Sequence, residues 1–153
     1  MHKIRLLLLF LFVLAGPASA LAAEGLVVTE SAHSVSDTAD RLEKVLLDKG
    51  MKVFGRIDHA AGAASVDQAI PATELLIFGN PKVGTPLMKC ARTVAIDLPQ
   101  KALIWADSDD RVWLAYNDPQ YLNGRHDLGE ECAKVLEKVT AALSGFAAAA
   151  TAP

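Results

Sequence analysis

The chain has 153 residues, of which 52 % are hydrophobic and 22 % charged, with a formal net charge of −3. That length holds one domain with a core of its own. A mildly acidic chain without basic runs and with 6 % aromatic residues gives no electrostatic case for nucleic acid or an anionic membrane surface.

Lys3 and Arg5 precede an uninterrupted apolar run over residues 6–15. Gly16-Pro17 then breaks it ahead of Ala18-Ser19-Ala20 and Ala20-Leu21-Ala22, both of the small-x-small form that signal peptidase cuts. The run falls short of the ~20 apolar residues that span a bilayer. Residues 1–22 therefore read as a cleaved secretory signal, which makes the mature chain periplasmic or secreted, with no membrane segment left. Without Lys3 and Arg5, 13 basic residues face 18 acidic ones, a net charge of −5. Residues 23–146 read as a single domain, and residues 147–153 as a flexible Ala-rich tail.

Leu26-Val27-Val28-Thr29 is β-rich. Val35, Ala39, Leu42, Val45 and Leu46 then fall at helical spacing behind a cap at Ser34 or Ser36. Asp48-Lys49-Gly50 ends that helix. Residues 51–59 alternate as a second strand, with Val53, Gly55 and Ile57 on one face. Residues 60–68 are small and helix-tolerant, and Leu75-Leu76-Ile77-Phe78 is a short buried strand.

Gly79-Asn80-Pro81 breaks that strand. Thr85 followed by Pro86 reads as an N-cap and first helical residue. Gly79, Gly84 and Thr85 mimic phosphate-loop spacing, but the Lys required between Gly84 and Thr85 is missing and Pro81 removes a backbone donor, so this is not a P-loop. Residues 93–98 are expected to form a further strand ending at Pro99. Residues 102–106 and 112–116 flank an acidic turn as a β-hairpin, with Trp105 across from Trp113. Asp118-Pro119 opens a loop or helical turn through Tyr121 and Leu122 to His126. A last helix is expected over residues 127–143, with Leu128, Cys132, Val135, Leu136, Val139 and Leu143 at core spacing. The order β-α-β-(α)-β-α-β-β-β-α predicts an α+β fold, two layers with a mostly antiparallel sheet packed against helices.

Five pieces occur in order: Ile57-Asp58-His59, Phe78-Gly79-Asn80-Pro81, Gly84-Thr85-Pro86-Leu87-Met88, Ile96-Asp97-Leu98-Pro99, and Tyr116-Asn117-Asp118-Pro119 through Arg125-His126. Together they resemble the bacterial domain of unknown function 302 family over essentially the whole mature chain. The resemblance implies a compact two-layer α+β domain that tends to form homodimers, and it supplies no mechanism.

Candidate ligand-binding residues are the polar members of these motifs: His59, Asn80, Thr85, Tyr116, Asn117, Arg125 and His126. Converging, they would line a cleft suited to a small anionic or carbonyl ligand; separately, each would satisfy backbone at the end of its own strand. His33, His59 and His126 are the residues available for acid–base or metal work. No His-Glu-x-x-His or Cys-x-x-Cys spacing indicates a metal, no cofactor is implied, and no Gly-x-Ser-x-Gly elbow marks a serine hydrolase. Two functions stay open: an exported small-ligand-binding or interaction module, or a small periplasmic enzyme or metal-binding protein using His59 and His126. Cys90 and Cys132, the only cysteines, are a disulfide in an oxidising compartment or small apolar filler; a third reading, a reactive thiol, fits Cys132 badly because apolar surroundings raise a thiol pKa.

Overall fold

The computed structural model describes residues 23–153; the signal expected over residues 1–22 lies outside them. Five strands form one sheet in the order β1-β5-β4-β3-β2, every neighbouring pair antiparallel. They are β1 (Leu26–Ser31), β2 (Lys52–Asp58), β3 (Thr73–Gly79), β4 (Gln100–Ala106) and β5 (Val112–Asn117). Five helices accompany them: α1 (Val35–Asp48), α2 (His59–Ala64), α3 (Pro81–Cys90), α4 (Pro119–His126) and α5 (Ala133–Thr151). The fold class is α+β with one antiparallel sheet, as expected.

Register explains which residues reach the core. Leu76 pairs with Ala102 and Ala102 with Tyr116; Ile104 pairs with Leu114, and Phe78 with Gln100. All these share one face by alternation, and α1 and α5 cover it through Ala39, Leu42 and Leu46, and through Leu136, Val139 and Leu143. The opposite face carries Ile57, Leu75, Leu103, Trp105 and Trp113, none of them fully buried. Trp105 and Trp113 do pair across the β4–β5 hairpin. Asp107 holds the turn: its carboxylate accepts from Trp113 Nε1 at 2.8 Å and from the backbone N–H groups of Asp109 and Arg111 at 2.9 Å each. The Trp113 bond, helped by those N–H groups and by Arg111, holds the Asp107 carboxyl below the usual carboxylate range. This contribution to stability is complete above the ordinary carboxylate pKa of about 4 and is lost as pH falls through the lowered value.

Four segments differ from the sequence reading. Residues 93–98 are not a strand: Arg92–Ile96 is a 3-10 turn. Val94 is fully buried while Ile96 is 74 % exposed, so these β-branched residues contribute one anchor to the core rather than an alternating face. The helix expected to be capped by Thr85 starts five residues earlier. Asn80 is its N-cap, accepting from Lys82 N at 2.9 Å, and Pro81 takes the first helical position, where a missing N–H costs nothing; Pro86 lies inside the helix.

The last helix begins at Ala133 rather than at residue 127, because Asp127 adopts a left-handed conformation that ends α4 and a 3-10 turn, Glu130–Cys132, intervenes. Finally, the tail expected to fray at residues 147–153 is helical through Thr151, with Ala147, Ala150 and Thr151 buried. The Arg41 guanidinium of α1 donates to the carbonyls of Ala150 at 3.1 Å and Ala152 at 3.0 Å, and Ala32 N donates to Thr151 O at 3.0 Å. A cation on otherwise unpaired C-terminal carbonyls stabilises a helix end that Ala alone would not hold.

Candidate functional site

The seven candidate residues do not converge. His59 is exposed at the start of α2, beyond edge strand β2, and neighbouring Asp58 caps that helix by accepting from Ala61 N at 2.8 Å. Tyr116 is buried in the sheet, where burial and then nearby Asp118 push its phenol up from the usual value. Asn117 closes β5. His33 is tied to the C-terminus, its Nε2 lying 2.7 Å from Ala152 O. Asn80 spends both ends of its amide on backbone, accepting from Lys82 N and donating to Gly50 O at 3.2 Å.

Arg125 and His126 do come together, around a residue that sequence reasoning had placed in a strand. Asp97 Oδ2 lies 2.5 Å from His126 Nε2 and Asp97 Oδ1 3.2 Å from Arg125 NH1. His126 Nδ1 is 3.1 Å from Thr93 Oγ1. The imidazole is 6 % exposed and the carboxylate 13 %. The cluster ties the 3-10 turn after α3 to the C-terminal end of α4, where basic side chains also suit the helix dipole. A hydroxyl, an imidazole and a carboxylate in sequence have the order of a catalytic triad. Here, however, Asp97 is shared with Arg125, and none of the four residues lines the cavity described next. Among the described residues no group of three His, Cys, Asp or Glu side chains is arranged to hold a metal ion.

That cavity is an apolar groove of about 580 Å³. Its walls are α3, from Pro81 to Met88, and the face of α5 bearing Val135, Val139, Ala142 and Phe146; Phe54, Leu98 and Pro99 close it. The sheet positions it. Gly79 ends β3 and Gln100 begins β4, so the layer stops at that edge and leaves a gap that α3 and α5 flank. Five polar residues line it: Asn80, Lys82, Thr85, Gln100 and Lys138, with no carboxylate among them. Of the seven candidates, only Asn80 and Thr85 belong to this groove. Gln100 and Lys138 were missed. The one signal for Gln100 was a neutral polar residue between Pro99 and an apolar strand.

Cys90 Sγ and Cys132 Sγ are bonded, with Cα atoms 6.4 Å apart. The bond joins the last residue of α3 to the residue preceding α5. It therefore ties the two groove walls at one end.

The sequence matches the family described as Domain of unknown function DUF302 over residues 27–146. The chain belongs to the DUF302 family. The match runs through both groove walls and the Asp97 cluster. A crystal structure of an uncharacterized conserved DUF302 protein from Bacillus stearothermophilus superposes with a TM-score of 0.72 at 15 % identity, covering 81 % of this chain and 96 % of that one; this likeness shows the fold. Curated relatives include Fluoride-specific ion channel FluC 1 of Brucella suis and of Brucella abortus, each 48 % identical over 113 residues, 74 % of this chain. The DUF302 chain spans 44 % of the length of the first and 42 % of the second. No helix among its described residues is long and apolar enough to cross a membrane.

Proposed function

We propose that this DUF302 protein is an exported, non-enzymatic module that binds a small amphipathic molecule in the groove between α3 and α5. The groove itself carries the reading: its volume lies within the roughly 300–1,000 Å³ of small-molecule sites, and apolar walls with a few polar groups are what such sites present. Binding is favoured over a reaction because the lining residues include no acid–base pair. The alternative enzyme or metal protein needed His59 and His126 in one site, and they sit on separate elements. Export is supported by the Lys3/Arg5 start and small-x-small sites, and the Cys90–Cys132 bond suits an oxidising compartment.

The test uses Ala142→Trp, which puts an indole into the groove from an exposed position on α5 without touching the core. Dodecanoate or 1-dodecanol raises the melting temperature of the wild type, while the variant melts where the unliganded wild type does and gains nothing from either probe. Equal gains in both proteins would place binding elsewhere and remove the groove from consideration.

A homodimer belongs to the same proposal. It is supported by the incompletely buried sheet face bearing Ile57, Leu103, Trp105 and Trp113, since apolar faces of this kind mark interaction surfaces. Sedimentation at tens of micromolar, on the order of weak-dimer affinities, gives a mass near twice that of one chain; monomer alone counts against it. The Brucella relatives favour a second reading, in which the module works beside an anion channel. Sodium fluoride at millimolar concentration then shifts the melting curve, and dodecanoate does not.

A further inference from the structure

We propose that the groove selects an amphipathic anion that also carries a hydroxyl, a long-chain hydroxyalkanoate. This rests on the groove being the ligand site and names what it discriminates. Three features of the lining carry it. Gln100 is 8 % exposed, yet its Oε1 is buried with no hydrogen-bond partner. A buried acceptor left unpaired is costly, and Gln100 lines the groove at the first position of β4, so a donor that arrives with the ligand would pair it. The floor of the groove therefore asks for a hydroxyl.

The rim asks for an anion. Lys82 and Lys138 stand on opposite walls, both exposed, and no acidic side chain lines the groove. Neither ammonium has a carboxylate partner among the described residues. Two cations flanking an otherwise apolar opening attract a carboxylate and repel an amine. Between rim and floor the walls are Phe54, Leu98, Val139 and Phe146. The α5 wall from Val135 to Phe146 rises about 16 Å at ~1.5 Å per residue, room for a chain on the order of twelve carbons. Carboxylate at the rim, alkyl body along the walls and hydroxyl at Gln100 satisfy every unpaired feature at once.

Binding of four twelve-carbon probes to the oxidised mature protein, measured by calorimetry, tests this. The expected order is 12-hydroxydodecanoate tighter than dodecanoate by about tenfold or more, the size of a hydrogen bond to an otherwise unpaired group, then 1-dodecanol, with dodecylammonium weakest. Gln100→Leu, close in size and without an acceptor, equalises the hydroxy acid and dodecanoate. Lys82→Ala combined with Lys138→Ala equalises dodecanoate and dodecylammonium. Should dodecylammonium bind the wild type as tightly as dodecanoate, or the hydroxyl confer no advantage there, the selectivity is wrong although the groove stands as an apolar site. Failure of all four probes to bind sinks both the selectivity and the groove reading beneath it.

Discussion

Reducing the Cys90–Cys132 bond, or replacing both cysteines with alanine, lowers the stability of the folded domain by about 4 kcal/mol. The magnitude comes from the loop that the bond closes. With a sequence separation of 42, the chain-entropy model gives roughly 4 kcal/mol at 25 °C. In a domain of this size the melting temperature then falls on the order of 10–20 °C. The effect acts mostly through the unfolded chain, so the denaturant slope rises as well, because the uncrosslinked chain expands further. A second, local effect follows from position. Cys132 is 1 % exposed within the core, and the bond joins the ends of the two groove walls. Reduced protein should therefore lose affinity for dodecanoate even at temperatures where it remains folded. Equal melting curves with and without reductant would show that core packing around Cys132 holds α3 against α5 unaided.

The cysteine pair also shows what was legible in the chain and what was not. An even pair of cysteines and an expected oxidising compartment left a bond and apolar filler both open, and only the fold could bring the two Cα atoms to 6.4 Å. Period-two and helical patterns located the strands, the hairpin register at Trp105 and Trp113, and the inward stripe of α5, because each is written locally in which residues must leave water. Elements stabilised from a distance were not legible. The C-terminal tail looks frayed in isolation, and its helix is held by Arg41, 109 residues earlier in the chain. Residues 93–98 have strand composition, yet only Val94 is fully buried and Asp97 is recruited by α4.

The site was hidden for the same reason. Polar motif residues mark where strands and short helices start and stop, and those points lead to different places. Asn80 and Thr85 reach the groove, Arg125 and His126 reach Asp97, and His59 lies exposed. Apolar walls such as Phe54 and Phe146 look like ordinary core residues until the sheet is seen to stop at Gly79 and Gln100 between them. A groove made by what is missing from a layer leaves little trace in local spacing.

Asp97→Ala costs about 2 kcal/mol, although Asp97 touches no ligand groove. The carboxylate and the His126 imidazole are 13 % and 6 % exposed, so removing the acid leaves the imidazole desolvated without its partner, and losing a buried hydrogen bond to a charged group costs roughly 1.5–3 kcal/mol. The lower end applies because Arg125, the third member, is 49 % exposed and lets water reach the acid. For that reason Arg125→Ala alone costs no more than about 1 kcal/mol, as exposed ion pairs do. It also leaves dodecanoate binding unchanged, because Arg125 does not line the groove. The pairwise character is checked with a double-mutant cycle by urea unfolding. Asp97→Ala and His126→Ala should be non-additive by about 1–2 kcal/mol, as residues sharing a hydrogen bond are. Additive losses would mean that the His126 contact adds nothing of its own, and that the turn holds its shape without α4 through Lys101, whose ammonium donates to the backbone carbonyls of Asp97 and Pro99 at 3.1 and 2.9 Å and keeps both when the Asp97 side chain is removed. Non-additivity instead makes the His126–Asp97 contact the tie between α4 and the segment carrying Leu98 and Pro99. Groove residues Leu98 and Pro99 then depend on it for their place, and the double variant should bind dodecanoate more weakly, although neither substituted side chain lines the groove.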